Sequence, residues 1–573
     1  MTVAPSKIWK TAAGDRDCAI RLAAELAIPQ PLAALLASRG VTDAGLADKF
    51  LNPRLGDMSD PFLLPGMTAA VDRIAEALKS NEPIVIYGDY DVDGVTSTAL
   101  MVTILSRLGA LVTPFLPNRM EDGYGLSEAT LQRCIDQYHP RLIVTVDCGT
   151  GSVEAVQKAA AQGIDVVVTD HHEPSGAVAP AVAMVNPKVS GDASSQMLAG
   201  VGVAFKLCHA ILKRGRDEKW PGVEAIDLKE HLDYVALGTI ADIVPLLSEN
   251  RILARYGLGL LNRTHSIGLK SLMEVAGVSG VVDSYHVGFV LGPRINAAGR
   301  IRDAQSALEL LLTDHPQRAR NLAMQLDAAN RDRQAIEAKI VKEASDLIDA
   351  YYQADVHYGL VVARKEWHTG VIGIVASRLT ARYRRPTIVI GIDEDGVGRG
   401  SCRSIEGFDV LQHLEACSDL LLKYGGHAMA AGLELKEESI PAFTERFNSL
   451  AAATLKGYDL RAVQPVDAWI QLSEANEYFM ESQDRFKPFG HLHPMPVWAV
   501  RGVRIEGMPH VVGKHHLKLS ISGHGVQREA IAFNMGARTV PEGPLDIAFC
   551  LQRNSYMGRD TLQLNIQDFR RSE

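Results

Sequence analysis

Three carboxylates, Asp89, Asp91 and Asp93, lie within five residues in the run Asp89-Tyr90-Asp91-Val92-Asp93-Gly94. In extended backbone, alternation would put all three on one face. Like charges about 4–5 Å apart repel by roughly 3–4 kcal/mol per pair at an effective dielectric near 20, and a bound cation is the usual resolution. The same spacing opens an EF-hand calcium loop, with Gly94 in the sixth place. The twelfth place is Leu100 instead of a bidentate Glu, and the preceding residues read as a strand, which removes that option. A solvated acidic turn remains the alternative for this segment alone. Asp147, Asp170-His171-His172 and Asp242 also follow or sit within apolar runs. His172 is followed by Glu173-Pro174-Ser175-Gly176, so the His-Glu-x-x-His pattern of zinc proteases is absent. Asp242 lies in the apolar run Val235–Leu246, where an unpaired buried carboxylate would cost several kcal/mol, so a metal or an Arg partner is expected. The set is oxygen-rich, with one or two imidazoles and no thiolate, which favours Mn²⁺ or Mg²⁺ over zinc or copper. Two such ions suit phosphoryl transfer: one lowers the pKa of a water and both stabilise charge in an in-line displacement.

These residues need elements to hold them. Ile84-Val85-Ile86-Tyr87 predicts a buried strand that ends in the acidic run, followed by a helix over Thr96–Leu108 closed by Gly109. Leu142–Val146 predicts a second strand ending in Asp147, followed by a helix over Val153–Gln162, and Val166–Thr169 a third ending in Asp170. Short strands alternating with helices indicate a parallel sheet, and ligands gather at the carboxyl ends of its strands. Each of these strands delivers an Asp or His there. Short helices are expected over Ala19–Leu26 and Pro31–Arg39, and a long connecting helix over roughly Asp303–Ala350, broken near Pro316. A second α/β pattern begins at Gly359, with a strand at Leu360–Ala363, a helix over Val371–Arg382 and a strand at Thr387–Ile390. From Val497 short β runs alternate with Gly-containing turns, which suggests a small barrel of the OB type. The expected organisation is an N-terminal helical extension (1–50), a parallel-sheet α/β catalytic domain (51–302), the connecting helix (303–350), a second α/β domain (351–457) and an OB-fold barrel (458–573).

A chain of 573 residues exceeds one core, and 47% hydrophobic with 22% charged residues is ordinary globular composition. The amino end carries no apolar stretch resembling a signal peptide, and no later segment reads as a membrane span. Seven scattered cysteines form no Cys-x-x-Cys pair, so neither a zinc ribbon nor a disulfide framework is indicated, and a reduced cytoplasm is expected. The net charge of −9 argues mildly against a protein that simply coats nucleic acid. From Val497 onward, however, ten Lys/Arg stand against seven Asp/Glu.

Asp-Tyr-Asp-Val-Asp-Gly (89–94), Val-Asp-Cys-Gly (146–149), Asp-His-His (170–172) and Gly-Thr-Ile-Ala-Asp-Ile-Val-Pro-Leu (238–246) resemble, in order, the four motifs of the DHH phosphoesterases. Pro117-Asn118-Arg119, Asp122-Gly123-Tyr124-Gly125 and the run Gly292–Arg300 extend the resemblance to the exonuclease branch of that family. It implies a DHH domain and a DHHA1 domain, with two Mn²⁺ or Mg²⁺ ions. Asp91 and Asp93 would hold separate ions, Asp147 would bridge them, and His171 and Asp242 would complete one site. Asp89 or water would supply a further ligand, and His172 would lie against the scissile phosphate. The pyrophosphatase branch has a His four residues before the second Asp, where this chain has Tyr87, which argues against that activity.

The run Gly425-Gly426-His427 resembles the DHHA1 motif, in which paired glycines and a following helix start would admit an anion. Gly398–Ser404 reads as a Gly-flanked phosphate-binding turn. By resemblance, Ser401 and Arg403 would cradle a 5′-terminal phosphate with Arg119 and either Arg294 or Arg300, and Asn330 and Gln334 would meet the terminal nucleotides. Cys402 stands where a smaller residue is expected. Lys514, His515, His516, Lys518, Arg553, Tyr556 and Arg559 suit a surface tracking a single strand. The implied activity is 5′-to-3′ hydrolysis of single-stranded DNA to 5′-mononucleotides, in repair and recombination. The expected partners are single-stranded DNA, a single-strand-binding protein and a helicase, with the chain a monomer. The competing readings are a small-substrate DHH enzyme and an inactive scaffold.

Overall fold

The computed structural model describes residues 7–118, 125–174, 176–190, 195–301, 303–513, 515–556 and 559–572. Its first sheet has five parallel strands: β1 (Ile84–Gly88), β2 (Val112–Phe115), β3 (Leu142–Val146), β4 (Asp165–Thr169) and β5 (Ala183–Val185), in the order β2-β1-β3-β4-β5. The apolar runs form strands because both faces are covered. Ile84, Ile86, Leu142, Val144 and Val167 enter one core. Their alternating neighbours Val85, Tyr87, Ile143, Val166 and Val168 enter another on the opposite face. The edge strands β2 and β5 were not among the strands expected from sequence. The order reverses at β1, which has β2 on one side and β3 on the other, so the crevice beyond Gly88 and Val146 is the topological switch point.

Helix α1 (Val92–Arg107) starts earlier than expected, with Asp91 as its N-cap. The acidic run is therefore not extended, and its carboxylates converge through a strand-to-helix turn, not through alternation. Helices α2 (Gly200–Asp217), α3 (Leu232–Ala241) and α4 (Gly292–Ile301) pack against α1. The connecting helix α5 (Pro316–Tyr351) begins at Pro316, which has no N–H to leave unbonded in a first turn. At 36 residues it spans about 54 Å.

The second sheet contains β6 (Leu360–Lys365), β7 (Thr387–Ile392), β8 (Val397–Arg403), β9 (Lys423–His427) and β10 (Ala430–Lys436), in the order β9-β10-β8-β7-β6. Only β6 and β7 run parallel, joined by helix α6 (Thr369–Tyr383). Beyond it, β11 (Trp498–Ile505), β14 (Leu545–Tyr556), β15 (Arg559–Arg571), β13 (Val526–Ala532) and β12 (His516–Gly523) pair in that order, and β12 pairs back to β11, closing a five-stranded barrel.

The first fifty residues contain strand Ile8–Thr11 as well as helices, and that strand pairs in parallel with Val463–Val466. Leu22, Leu32, Leu36 and Leu51 share one core with Trp498, Phe549 and Phe569, so this segment is built onto the barrel. Arg251 fastens the barrel to the first domain. Its buried guanidinium lies 3.9 Å from the Phe50 ring centroid and donates to the carbonyls of Phe50 (2.8 Å), Lys487 (3.0 Å) and Arg485 (3.2 Å). Among the described residues, no helix is long and apolar enough to cross a membrane.

Candidate active site

The carboxyl ends of β1, β3 and β4 and the end of α3 converge on one point. Asp89 follows β1 and is buried. Asp91 caps α1, its Oδ1 accepting from the backbone N–H of Asp93 (2.9 Å) and Gly94 (3.1 Å). Asp93 lies in the first turn of α1, buried, and accepts from two backbone N–H groups at the start of α2, Gly200 (2.6 Å) and Val201 (2.8 Å). A helix N-terminus is a favourable partner for a carboxylate. Asp147 takes a left-handed backbone, φ 63°, which turns it back over the sheet while its N–H donates to Thr169 O. Gly200 makes room for it: a Cβ there would fall 2.6 Å from Asp147 Oδ1. Asp242 ends α3.

His171 is the hub. Its Nε2 lies 3.1 Å from Asp147 Oδ1, 3.5 Å from Asp242 Oδ2 and 3.8 Å from Asp93 Oδ2. None of these contacts is aligned as a hydrogen bond, so both buried ring nitrogens and Asp147 Oδ1 lack such a partner. Donor atoms fall within 4.8 Å of one another in three groups: Asp93, His171 and Asp242; Asp89, Asp91 and Asp147; and Asp147, His171 and His172. Asp147 and His171 belong to two groups each.

Charge tells the same story. Burial, reinforced by Asp91, pushes Asp93 up to about 7. Burial, then Asp93 and Asp91, pushes Asp242 up to about 9 and Asp147 well above the carboxylate range. Burial and neighbouring His172 push His171 down to about 3. Carboxyls that resist ionising together, around an imidazole that resists protonation, call for an external positive charge, and a divalent cation fits the donors and the orphaned atoms. Asp170 differs. Burial works to raise it, but the His172 hydrogen bond and charge, with the Thr150 N–H, overcome that and hold it at about 2. Its Oδ1 accepts from the His171 and His172 N–H groups (2.7 and 3.2 Å) and lies 2.7 Å from His172 Nδ1. His172 is thereby oriented and its pKa raised against the lowering effect of burial. Sequence reasoning placed Asp170 in a motif without giving it this task.

A cleft of about 300 Å³ opens here, lined by Asp89, Asp91, Asp93 and Asp242 with Ile243, Asn296 and Arg300. Asn296 is a second residue missed as functional, although the run that contains it was noticed; its Oδ1 accepts from Val92 N–H at 3.0 Å. Of the two candidate arginines, Arg300 lies in the cleft and donates to Gly370 O of α6 (3.2 Å). Arg294 is committed to Asp327 of α5 through Nε and Nη2, both at 3.0 Å.

Other expectations are corrected. Gly398–Arg403 is a strand, not a turn, so Ser401 and Arg403 share one face while Cys402 points into the opposite core. Arg403 Nη1 donates to Ser401 Oγ at 3.1 Å. A Cβ at Gly373 of α6 would lie 3.1 Å from Ser401 Oγ and 3.2 Å from Arg403 Nη2, three residues from the Gly370 that meets Arg300. This brings the two domains together at the cleft. Gly425, Gly426 and His427 form the exposed strand β9 instead of preceding a helix. Asn330 is buried and accepts from Arg333 of its own helix, whereas Gln334 is exposed. Lys518 pairs with Glu529 (3.2 Å) and Arg553 with Glu477 (2.8 Å), so neither is a free surface cation. Arg119, Asp122-Gly123-Tyr124, Lys514 and the side chains of Tyr556 and Arg559 lie outside the described residues.

Comparison with known proteins agrees with this layout. The profile of the DHH family, N-terminal domain, matches residues 83–239, that of the DHHA1 domain 355–453 and that of the RecJ OB domain 466–568. The single-stranded-DNA-specific exonuclease RecJ of Bacillus subtilis is 39% identical over 572 residues, covering 99% of this chain and 71% of its own length. The Escherichia coli protein of the same name is 37% identical over 562 residues, covering 94% of this chain and 96% of its own. The crystal structure of Thermus thermophilus RecJ with Mn²⁺ superposes with a TM-score of 0.83 at 29% identity, over 99% of this chain and 80% of that one. The same protein has also been solved with Mg²⁺. The chain belongs to the RecJ family of single-stranded-DNA-specific exonucleases.

Proposed function

We propose that this protein degrades single-stranded DNA from its 5′ end by two-metal phosphodiester hydrolysis, releasing 5′-mononucleotides during DNA repair and recombination. The observation that carries the reading is the convergence of Asp93, His171 and Asp242 beside Asp89, Asp91 and Asp147, with donor atoms within 4.8 Å in each group. Asp93, His171 and Asp242 would hold one Mn²⁺ or Mg²⁺, and Asp89, Asp91 and Asp147 the other. When bound, the ions supply an acidified water and neutralise charge on the phosphoryl group.

The chain's own residues do the rest. The N–H groups of Gly200 and Val201 hold Asp93 in place. Asp170 fixes His172, whose half-exposed imidazole is assigned to the scissile phosphate. Arg300, not the Asp327-bound Arg294, is assigned to the 5′-terminal phosphate together with Ser401 and Arg403, which lie one turn of α6 away. Arg119 retains that assignment by resemblance. A phosphate pocket at a fixed distance from the ions sets the register of cleavage and its polarity. The active-site cleft is taken to admit a single strand only, so unwound strands would come from a helicase, with a single-strand-binding protein as second partner. The protein is proposed to act as a monomer in the cytoplasm.

The test is incubation of 5′-labelled and 3′-labelled single strands with Mn²⁺, beside duplex and dinucleotide substrates. Labelled mononucleotide should appear first from the 5′ end, and Asp91→Ala should slow cleavage by roughly 10³-fold or more. Activity on dinucleotides alone, first release from the 3′ end, or an undiminished Asp91→Ala overturns the proposal.

A further inference from the structure

Three consecutive polar residues, Glu249, Asn250 and Arg251, are buried at the start of the helix Ser248–Leu261. Two of them are anchors. Glu249 Oε1 accepts from the Ser59 N–H and Oγ, both at 2.7 Å, and from Lys206 Nζ of α2 at 3.1 Å. Arg251 donates to the barrel's docking segment at Arg485 and Lys487. Asn250 is fixed between them, and its carboxamide bonds elsewhere. Nδ2 donates to Met197 O at 2.5 Å and to Pro245 O at 3.1 Å, which uses both of its hydrogens.

Both carbonyls belong to backbone that carries the acidic centre. Met197 precedes Gly200 by three residues, and the N–H groups of Gly200 and Val201 hold Asp93 while Gly200 lies against Asp147. Pro245 follows Asp242 by three residues. Asp242 is the C-cap of α3, and Ile243 turns left-handed, φ 60°, so the helix does not run on to hold the carboxylate from its far side. One nitrogen thus ties together the two stretches of chain that set Asp93 and Asp242, whose donor atoms meet in one group with His171. Among the described residues, Asn250 Oδ1 has no hydrogen-bond partner. An unpaired buried acceptor costs free energy that a leucine of similar volume would not, so the residue type is explained by its two N–H groups.

We propose that Asn250 is a positioning residue of the metal centre: its carboxamide holds the start of α2 and the loop after Asp242 at the separation that one ion of the pair requires. The inference rests on the two-metal reading and adds to it a residue outside the ligand groups. Partners that orient metal ligands in this way govern affinity for the ion without touching it. Aspartate could not take the place of Asn250, since a carboxylate has no N–H to offer the two carbonyls.

The experiment uses the full chain and Mn²⁺ itself. Free Mn²⁺ is followed during titration by electron paramagnetic resonance, and cleavage of a 5′-labelled single strand by steady-state kinetics. Asn250→Leu keeps the volume and removes both donors; Asn250→Ala removes the volume as well. In each, the dissociation constant of one ion of the pair should rise about ten-fold or more, with the other near its parental value. KM for the strand should stay parental, and kcat should recover as Mn²⁺ is raised. Leu272→Ala opens a cavity in the helix Ile267–Val275, which packs on α5. It should lower the melting temperature without moving either Mn²⁺ constant. Parental Mn²⁺ affinity in Asn250→Leu, or equal weakening of both ions, overturns the proposal. So does an equal loss in Leu272→Ala, or an Asn250→Leu chain that does not fold, since either shows a duty to the fold at large. A parent that takes up no Mn²⁺, or that binds it and never shortens the strand, overturns the two-metal reading instead.

Discussion

Asp147 is held by backbone on every side: its own left-handed φ, its N–H on Thr169 O, and the first residue of α2 pressed against its carboxylate. Gly200 is therefore a residue whose missing side chain matters. Gly200→Ala would put a Cβ 2.6 Å from Asp147 Oδ1 and 2.8 Å from its Cβ, closer than atoms can stand. The expected outcome is a rise of at least about ten-fold in the Mn²⁺ concentration giving half-maximal rate, with the melting temperature within a few degrees of the parent, checked by metal titration and calorimetry. At this scale the sequence was informative where chemistry and position coincide. Acids and imidazoles at strand ends announce themselves. Asp170 did not, because its carboxylate serves a neighbouring imidazole. Arg294 and Arg300 could not be told apart, because what separates them is Asp327, thirty-three residues on and in another helix.

At the scale of elements, strands with two buried faces were readable as apolar runs. The edge strands were not: β2 contains Pro114 and is half-buried, and β5 has three residues. Strand β8 read as a turn on account of its glycines. In place, Gly400 is a glycine because a Cβ would meet Leu433 at 2.8 Å. Helix α5 has a structural duty besides spanning the two domains. Glu337, 1% exposed, bonds Arg333 of its own helix and Arg378 of α6, tying the connector to the second domain. Glu337→Gln would leave the buried guanidinium of Arg333 without its anion, while Arg378, 61% exposed, would stay hydrated. A loss of roughly 3 kcal/mol is expected, read as a lower denaturant midpoint in equilibrium unfolding.

At the scale of the molecule, the seam between barrel, N-terminal helices and first domain runs through His493, which is fully buried. Its Nδ1 lies 2.7 Å from Arg39 Nη1, which can only donate, so Nε2 carries the proton and donates to Phe486 O at 2.8 Å. The folded imidazole is thus neutral, and burial, with the charges of Arg251 and Arg39, pushes its pKa from 6.5 down to about 3. Between those values the unfolded chain binds the extra proton, so the stability it contributes is complete above about pH 6.5 and drains away as pH falls toward 3. Melting temperatures should therefore fall from pH 7 to pH 5 more steeply in the parent than in His493→Gln, whose amide can keep both hydrogen bonds. None of this seam was legible in the sequence, because local periodicity carries no record of partners hundreds of residues apart.

That separation bears on how the chain is made. Ile8–Thr11 waits for Val463–Val466, about 450 residues later, which at 5–20 residues per second is roughly 20–90 s of translation. The parallel sheet and its carboxylates can assemble in that interval from contiguous chain. The N-terminal helices cannot, since the barrel strands that cover Leu22, Leu32 and Leu36 have yet to be translated. These helices thus find their place late, only after the barrel strands that cover them have been made.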